Sequence, residues 1–250
     1  MNILVTAGNT VVPIDRVRCI TNVFTGRTGT SIALECLRGG HAVTLLTSHP
    51  ELVSHLGGPA SAQAERWTVS AYRSFDDLER SLQEQLLHGR FDVLIHCAAV
   101  SDYRAAGIFA PAPQTRFVPQ SGVWQSSAAE GPALIDKAAA KVKSTEPELW
   151  IRLVRTPKLI DRVRSAWSFP GILVKFKLEA GISETALLDI AERSRQTSRA
   201  DLMVANTLED SGSWALLGPL DCRYERVTRA DLAPRLLAEI ESLYAERKHG

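Results

Sequence analysis

Four polar stretches in this chain each follow an apolar run, and each holds residue types that can bind or transfer charged groups. Thr6-Ala7-Gly8-Asn9-Thr10 follows Ile3-Leu4-Val5, and Ala98-Ala99-Val100-Ser101-Asp102-Tyr103 follows the run that starts at Phe91. Phe176-Lys177-Leu178-Glu179 and Ala205-Asn206-Thr207 end two later runs. Together they supply backbone amides, carboxylates, a lysine, and side-chain amides and hydroxyls, a set suited to a nucleotide and a second anionic substrate. The stretch TAGNTVVPIDRVRCITN, residues 6–22, is unlike a glycine-rich phosphate loop. After Gly8 the next glycine is Gly26, and Pro13, Asp15, Arg16 and Arg18 stand between them. That spacing predicts a site that holds more than a dinucleotide. No Ser-His-Asp order and no HExxH motif stands out.

Strands must deliver these stretches, because ligands of open α/β sheets gather beyond the carboxyl ends of the strands. The pattern predicts a strand at residues 2–6, a helix at 26–38, strands in HAVTLLTS from His41 and in RWTVSAY, and a buried parallel strand in FDVLIHCAA from Phe91. Ser74 and Asp77 form a capping box that opens a helix to about Leu87. Regular structure resumes at Leu149–Val154, then a helix with Pro157 at its first position, a strand from Gly171, a helix capped by Ser183 and a strand from Ala200. Residues 213–227 read as a short hairpin. Leu232, Leu236, Ile240, Leu243 and Tyr244 share one face of a final helix. Residues 104–147 hold five prolines within APAPQTRFVPQSGVWQSSAAEGPALIDKAAAKVKSTEPE and no sustained period, which predicts a long loop or flap inside a single domain spanning 1–250. The fold class expected is α/β: a Rossmann-like, doubly wound, mostly parallel sheet with a long flap and a short β-hairpin extension.

Composition narrows the function classes. With 29 basic against 28 acidic residues the net charge is +1, so nothing draws the whole chain to nucleic acid or membrane, and any anion site must be local. Cys19, Cys36, Cys97 and Cys222 form no CxxC pair, which argues against a zinc ribbon or disulfide framework and for a reducing compartment. No basic and apolar leader opens the chain, and no run approaches the roughly 18 apolar residues of a span. A cytoplasmic protein is expected.

The motifs TAGNTVVPIDRVRCITNVFTGRTG, AAVSDYR, KVKS, RTPKLID, VKFKLE and DLMVANTLE occur in the order and approximate spacing of one family. The chain thereby resembles the phosphopantothenate-cysteine ligases, also called the DNA/pantothenate metabolism flavoprotein ligase-domain family. Members join phosphopantothenate to cysteine in coenzyme A synthesis after transferring CMP or AMP from a nucleoside triphosphate to the carboxylate. Their first-loop pattern, TxGGTxxPIDxVRxIxN followed by SSGxxG or STGxxG, is kept here at Thr6, Gly8, Thr10, Pro13, Ile14, Asp15, Val17, Arg18, Ile20, Asn22, Gly26 and Gly29. The resemblance implies an acyl-substrate site of Asp15, Arg18, Asn22, Gly26 and Gly29, with the neutral amide of Asn22 facing the acyl centre. It implies a nucleotide site of Gly8, Thr10, Ala98, Ala99, Asp102, Phe176, Lys177 and Asn206, Phe176 stacking on the base. Lys141 and Lys143 match a flap lysine pair, the first meeting the triphosphate. CTP or ATP, Mg²⁺ and a homodimer are implied, with no flavin, since the chain begins at the ligase motif. Metal ligands are not specified.

Two departures stand against the family pattern. Asn9 replaces the second glycine, an inexpensive change if that position is left-handed, and Val23-Phe24-Thr25 replaces a small polar run. The helix LLDIAERSRQTSRAD offers Arg195 and Arg199 where many bacterial relatives carry lysines. Rival readings are a catalytically silent nucleotide- or pantothenate-binding paralogue and an NAD(P)-binding oxidoreductase. The latter would want GxGxxG and Tyr-x-x-x-Lys, which AGNTVVPID and DYRAAG do not supply.

Overall fold

The structure, a computed structural model, describes residues 1–249. Its elements in chain order are β1 (Asn2–Ala7), β2 (Val11–Pro13), β3 (Cys19–Thr21), α1 (Arg27–Arg38), β4 (Ala42–Thr47), α2 (Glu51–His55), β5 (Trp67–Ala71) and α3 (Phe75–His88). There follow β6 (Val93–His96), β7 (Tyr103–Pro111), β8 (Thr115–Val118), β9 (Val123–Ser126), β10 (Leu134–Asp136) and β11 (Trp150–Arg155). The chain closes with α4 (Leu159–Ser165), β12 (Ile172–Glu179), α5 (Glu184–Ser198), β13 (Leu202–Thr207), β14 (Trp214–Leu220), β15 (Arg223–Thr228) and α6 (Leu232–His249). Two compact units emerge: residues 1–10, 23–100 and 158 onward form the first, and residues 11–22 with 101–157 the second.

The first unit carries an eight-stranded sheet of order β15-β14-β13-β12-β6-β1-β4-β5. Its inner pairs are parallel, and β14 and β15 extend it as an antiparallel hairpin. The chain starts at the centre, winds out through β4 to β5, returns to β6 on the other side of β1, and winds out again. This is the doubly wound, mostly parallel pattern expected. Alternation along the strands divides the core. Ile3 and Val5 of β1 meet Ile32 and Leu37 of α1 and Leu236 and Ile240 of α6 on one face. Leu4 meets Leu78 and Leu82 of α3 and Leu159 and Val163 of α4 on the other. Truncating one such fully buried leucine to alanine costs roughly 2–5 kcal/mol. The Ser74–Asp77 capping box is present in full, with Asp77 N 3.1 Å from Ser74 Oγ. Pro157 sits one residue before the N-cap of α4, Lys158, and not at the first helical position.

The second unit corrects the picture of a structureless excursion at 104–147. Strands β10, β7 and β11 make a three-stranded antiparallel sheet, while β2–β3 and β8–β9 are hairpins. Phe117 and Trp124 face each other across the second hairpin with ring centroids 5.3 Å apart, and each ring lies 4.7 Å from Trp150. These rings therefore cover part of one another while staying partly exposed. The neck of the unit is closed by Thr156, whose amide donates to Asp102 O at 2.9 Å and whose hydroxyl donates to Ser101 O at 2.7 Å.

Under the sheet of the first unit lies a buried polar group. His96 Nδ1 is 3.0 Å from Thr6 Oγ1, and the register sets His96 beside Lys175, whose ammonium donates to Ser194 O and Ser198 Oγ at 2.9 and 3.1 Å. Burial, aided by the Lys175 charge, pushes the imidazole down from 6.5 to about 4. The ring is therefore neutral in the folded protein, while the unfolded chain takes up a proton below about 6.5. Stability from this group is complete above that value and falls as the pH drops toward 4, by up to about 3 kcal/mol. Urea unfolding at pH 7 and pH 5 checks this: His96→Gln should lose less stability over that interval than the wild type. Equal losses would show that His96 does not contribute.

Candidate functional site

β1 and β6 lie side by side at the centre of the sheet and stop together, where the winding reverses. The chain leaving β1 is held by backbone pairing: Ala99 N donates to Gly8 O at 2.8 Å, Thr10 N donates to Ala99 O at 3.2 Å, and Asn9 and Ala99 form a parallel bridge. Gly8 has φ 90° and Gly26, the N-cap of α1, has φ 91°. A Cβ on Gly26 would lie 2.1 Å from the Gly8 nitrogen, so the start of α1 rests directly on the end of β1. Asn9 is not left-handed, so the condition under which it would be an inexpensive glycine replacement does not arise; its amide oxygen accepts from Ser48 Oγ at 3.0 Å.

A cavity of about 350 Å³ opens at this point of the first unit. Register-paired residues form part of its wall, Phe176 opposite Val204 and Leu178 opposite Asn206, each pair two residues beyond the last and so on the same face of the sheet. Of the residues expected to touch a nucleotide, Gly8, Ala98, Ala99, Phe176, Lys177 and Asn206 all line it, as does Gly26. Thr10 is fully buried behind the wall, and Gly29 packs on Ala7, where a Cβ would lie 2.8 Å from the Ala7 Cβ. The amides of Ala98 and Ala99 are already committed, to Thr6 Oγ1 at 3.2 Å and to Gly8 O. Polar donors must come instead from Arg27 and Thr28, in the first turn of α1, and from the Asn206, Ser211 and Arg229 side chains, all in the lining.

Sequence reasoning passed over Arg27 and Thr28, although both lie within the first motif, and over Cys97, Ser211 and Arg229, which lie outside every motif. The two arginines that stand in place of the relatives' lysines on α5 lie elsewhere. Arg195 is bound bidentately by Glu192 at 2.8 and 2.6 Å and donates to Ala200 O, Arg199 is the left-handed C-cap of α5, and neither reaches the cavity lining. Phe24 does line the cavity. Burial raises the Cys97 thiol to about 12, so at neutral pH it is protonated and not a nucleophile.

Asp15, Arg18, Asn22, Asp102 and Lys141 belong to the second unit. Asp15 organises it. Its Oδ1 accepts from the amides of Val17 and Arg18, both at 2.8 Å, and its Oδ2 from Arg18 Nη2 at 2.7 Å, Arg18 Nε at 3.1 Å and the Val142 amide at 3.1 Å. Arg18 Nη2 returns to Val142 O at 2.7 Å, and Arg16 N donates to Ala140 O. The loop lies at the surface, yet these donors cover the carboxylate completely. The Arg18 guanidinium first, then the Val17 amide, hold its pKa well below the carboxylate range. With its lone pairs filled, Asp15 has no capacity left for a substrate. The node clips Lys141-Val142-Lys143, a non-helical segment with Val142 buried, to the first loop 127 residues away. Asn22 follows β3 in an exposed position, and Asp102 is exposed just before β7.

Asp15→Asn should therefore loosen both segments at once. Hydrogen exchange is expected to speed up by about tenfold or more at the Val17, Arg18 and Val142 amides, with β1 and β6 unaffected. Unchanged protection at Val142 would show that the node does not hold the lysine segment.

Comparison with known proteins agrees with the motif order. Residues 1–110 match the family model described as the DNA/pantothenate metabolism flavoprotein C-terminal domain. The coenzyme A biosynthesis bifunctional protein CoaBC of Thermococcus kodakarensis is 33% identical over 247 residues, covering 96% of this chain and 51% of that protein. The Escherichia coli protein of the same name is 28% identical over 207 residues, 82% of this chain and 41% of its own length. The chain thus spans about half the length of the curated relatives it matches, or somewhat less. Among solved structures, the DNA/pantothenate metabolism flavoprotein of Streptococcus pneumoniae superposes with a TM-score of 0.74 at 28% identity, over 97% of this chain and 99% of that one. A Cab2 variant in complex with phosphopantothenate-cysteine shares the fold, with a TM-score of 0.67 at 19% identity over 99% and 88% of the two chains. This chain is a homologue of the CoaBC proteins and carries, over residues 1–110, the DNA/pantothenate metabolism flavoprotein C-terminal domain.

Proposed function

We propose that this chain ligates 4'-phosphopantothenate to L-cysteine, activating the acid as an acyl-nucleotidylate at the expense of CTP or ATP. The observation that carries the reading is the cavity of the first unit, which gathers Gly8, Ala98, Ala99, Phe176, Lys177 and Asn206 from four separate strand ends. Those are positions at which the resemblance calls for a nucleotide. The CoaBC homologues and the Cab2 complex with phosphopantothenate-cysteine support the substrate class.

In this reading the base lies on the Phe176 ring, the Asn206 amide meets it or the ribose, and the phosphates lie toward the cationic part of the lining. A carboxylate oxygen of the acid attacks the α-phosphorus and pyrophosphate leaves. The cysteine amine then attacks the acyl carbon, loses a proton and expels the nucleoside monophosphate. Asn22 donates to the acyl oxygen without adding a competing charge, and Lys141 follows the negative charge as pyrophosphate departs. Asp15 and Arg18 act by holding the loop that bears Asn22. Among the described residues no carboxylate lines the cavity, so Mg²⁺ arriving with the nucleotide would be held through phosphate oxygens. A homodimer belongs to the reading, supported by exposed Val17, Tyr103, Val123 and Leu153 in the second unit; sedimentation should return twice the chain mass, and an active monomer would remove this element.

Pyrophosphate release dependent on phosphopantothenate and on CTP or ATP is the direct assay. Its absence with both nucleotides would leave a silent binding paralogue. Asn22→Asp should fold by circular dichroism yet lose turnover, since a second carboxylate would repel the substrate's own. Lys141→Ala should slow nucleotidyl transfer by about ten- to a hundredfold at little cost in stability, and Lys143→Ala less. Near wild-type turnover by Lys141→Ala would withdraw that lysine from the triphosphate.

A further inference from the structure

We propose that Arg229, which lies in the turn between β15 and α6 and outside every recognised motif, is the phosphate anchor of the cavity in the first unit. The proposal rests on the nucleotide reading above and adds to it the group that fixes the triphosphate. Three cations line this cavity, and they differ in how they are held. Lys177 is already paired with Glu179 at 2.8 Å, and Arg27 is exposed. Arg229 is half-buried, and among the described residues no carboxylate pairs with it. Its guanidinium donates through Nη2 to Thr28 Oγ1, and its own amide is pinned to Ser213 O at 2.8 Å. Desolvation lowers its pKa.

Half-burying a guanidinium with no carboxylate beside it is costly, and here, among the described residues, the Thr28 hydroxyl alone accepts from it. The backbone tether fixes where the side chain starts and the Thr28 hydroxyl holds one edge of the fork, which leaves the remaining N–H donors for an anion entering the cavity. A phosphate of the nucleotide supplies that anion, with geometry an arginine can meet at two oxygens and a lysine at one. The alternative is a strut: an arginine retained only to brace Thr28 and the start of α1.

Calorimetric titration of inorganic pyrophosphate and of CTP and ATP separates the two, together with thermal unfolding of the free protein. Arg229→Gln keeps a donor for Thr28 and removes the charge; Arg229→Lys keeps the charge and removes the fork. As an anchor, Arg229→Gln weakens nucleotide and pyrophosphate binding by about ten- to a hundredfold with an unchanged or higher melting temperature, and Arg229→Lys recovers only part of the loss. A lowered melting temperature with undiminished affinity in Arg229→Gln overturns the anchor in favour of the strut, as does full affinity in both variants. Should the wild type bind neither nucleotide nor pyrophosphate, the underlying nucleotide reading fails and the anchor with it; wild-type binding that Arg229→Gln leaves intact refutes the anchor alone.

Discussion

The contact between two glycines sets the geometry on which the cavity depends. Gly26 sits so close to Gly8 that any side chain on it would overlap the Gly8 backbone, and both residues adopt φ near 90°, where glycine alone is unstrained. The long segment that leaves β1 therefore returns with no side chain between the strand end and the start of α1. One turn on, Gly29 repeats the approach against Ala7. This contact brings helix amides, the β1 terminus and the β6 terminus together at the reversal of the sheet. A larger residue at Gly26 would push the helix off the strand end, and one at Gly8 would collide with Ser48.

The polar groups of the first unit fall into two classes with opposite roles. Below the sheet, Thr6, His96 and Lys175 satisfy one another and neighbouring oxygens, and burial keeps the imidazole neutral. These groups stabilise a specific packing and offer nothing to a ligand. At the strand ends the reverse holds: Asn206 and Arg229 line open space, while the amides of Ala98 and Ala99 are consumed in shaping the loop. The second unit repeats the logic in its own way. Asp15 looks from its charge like a binding residue, yet five donors saturate it and make it a fastener between two remote segments.

Local signals were legible in the sequence. The Ser74–Asp77 box, the Ser183 cap, the β14–β15 hairpin and the face of α6 each depend on residues close in sequence, and each formed where expected. What escaped was long-range or weakly periodic. Strands β8, β9 and β10 are only three or four residues long, too brief for alternation to register, and the pairing of β7 with β11 spans a long loop. The clip from Asp15 to Val142 crosses 127 residues, and Arg229 meets Thr28 across 201. Arg195, by contrast, is paired locally, with Glu192 one turn away on its own helix.

The account stands or falls on the nucleotide occupying the cavity of the first unit. A crystal structure of the chain grown with CTP, and a second with a non-hydrolysable ATP analogue, tests this most directly. The account predicts a base against the Phe176 ring and phosphates beside Arg229 and the first turn of α1. A nucleotide seated elsewhere, for instance in the cleft between Leu188, Glu192 and Tyr224, with the Gly8–Gly26 cavity left empty, would contradict it.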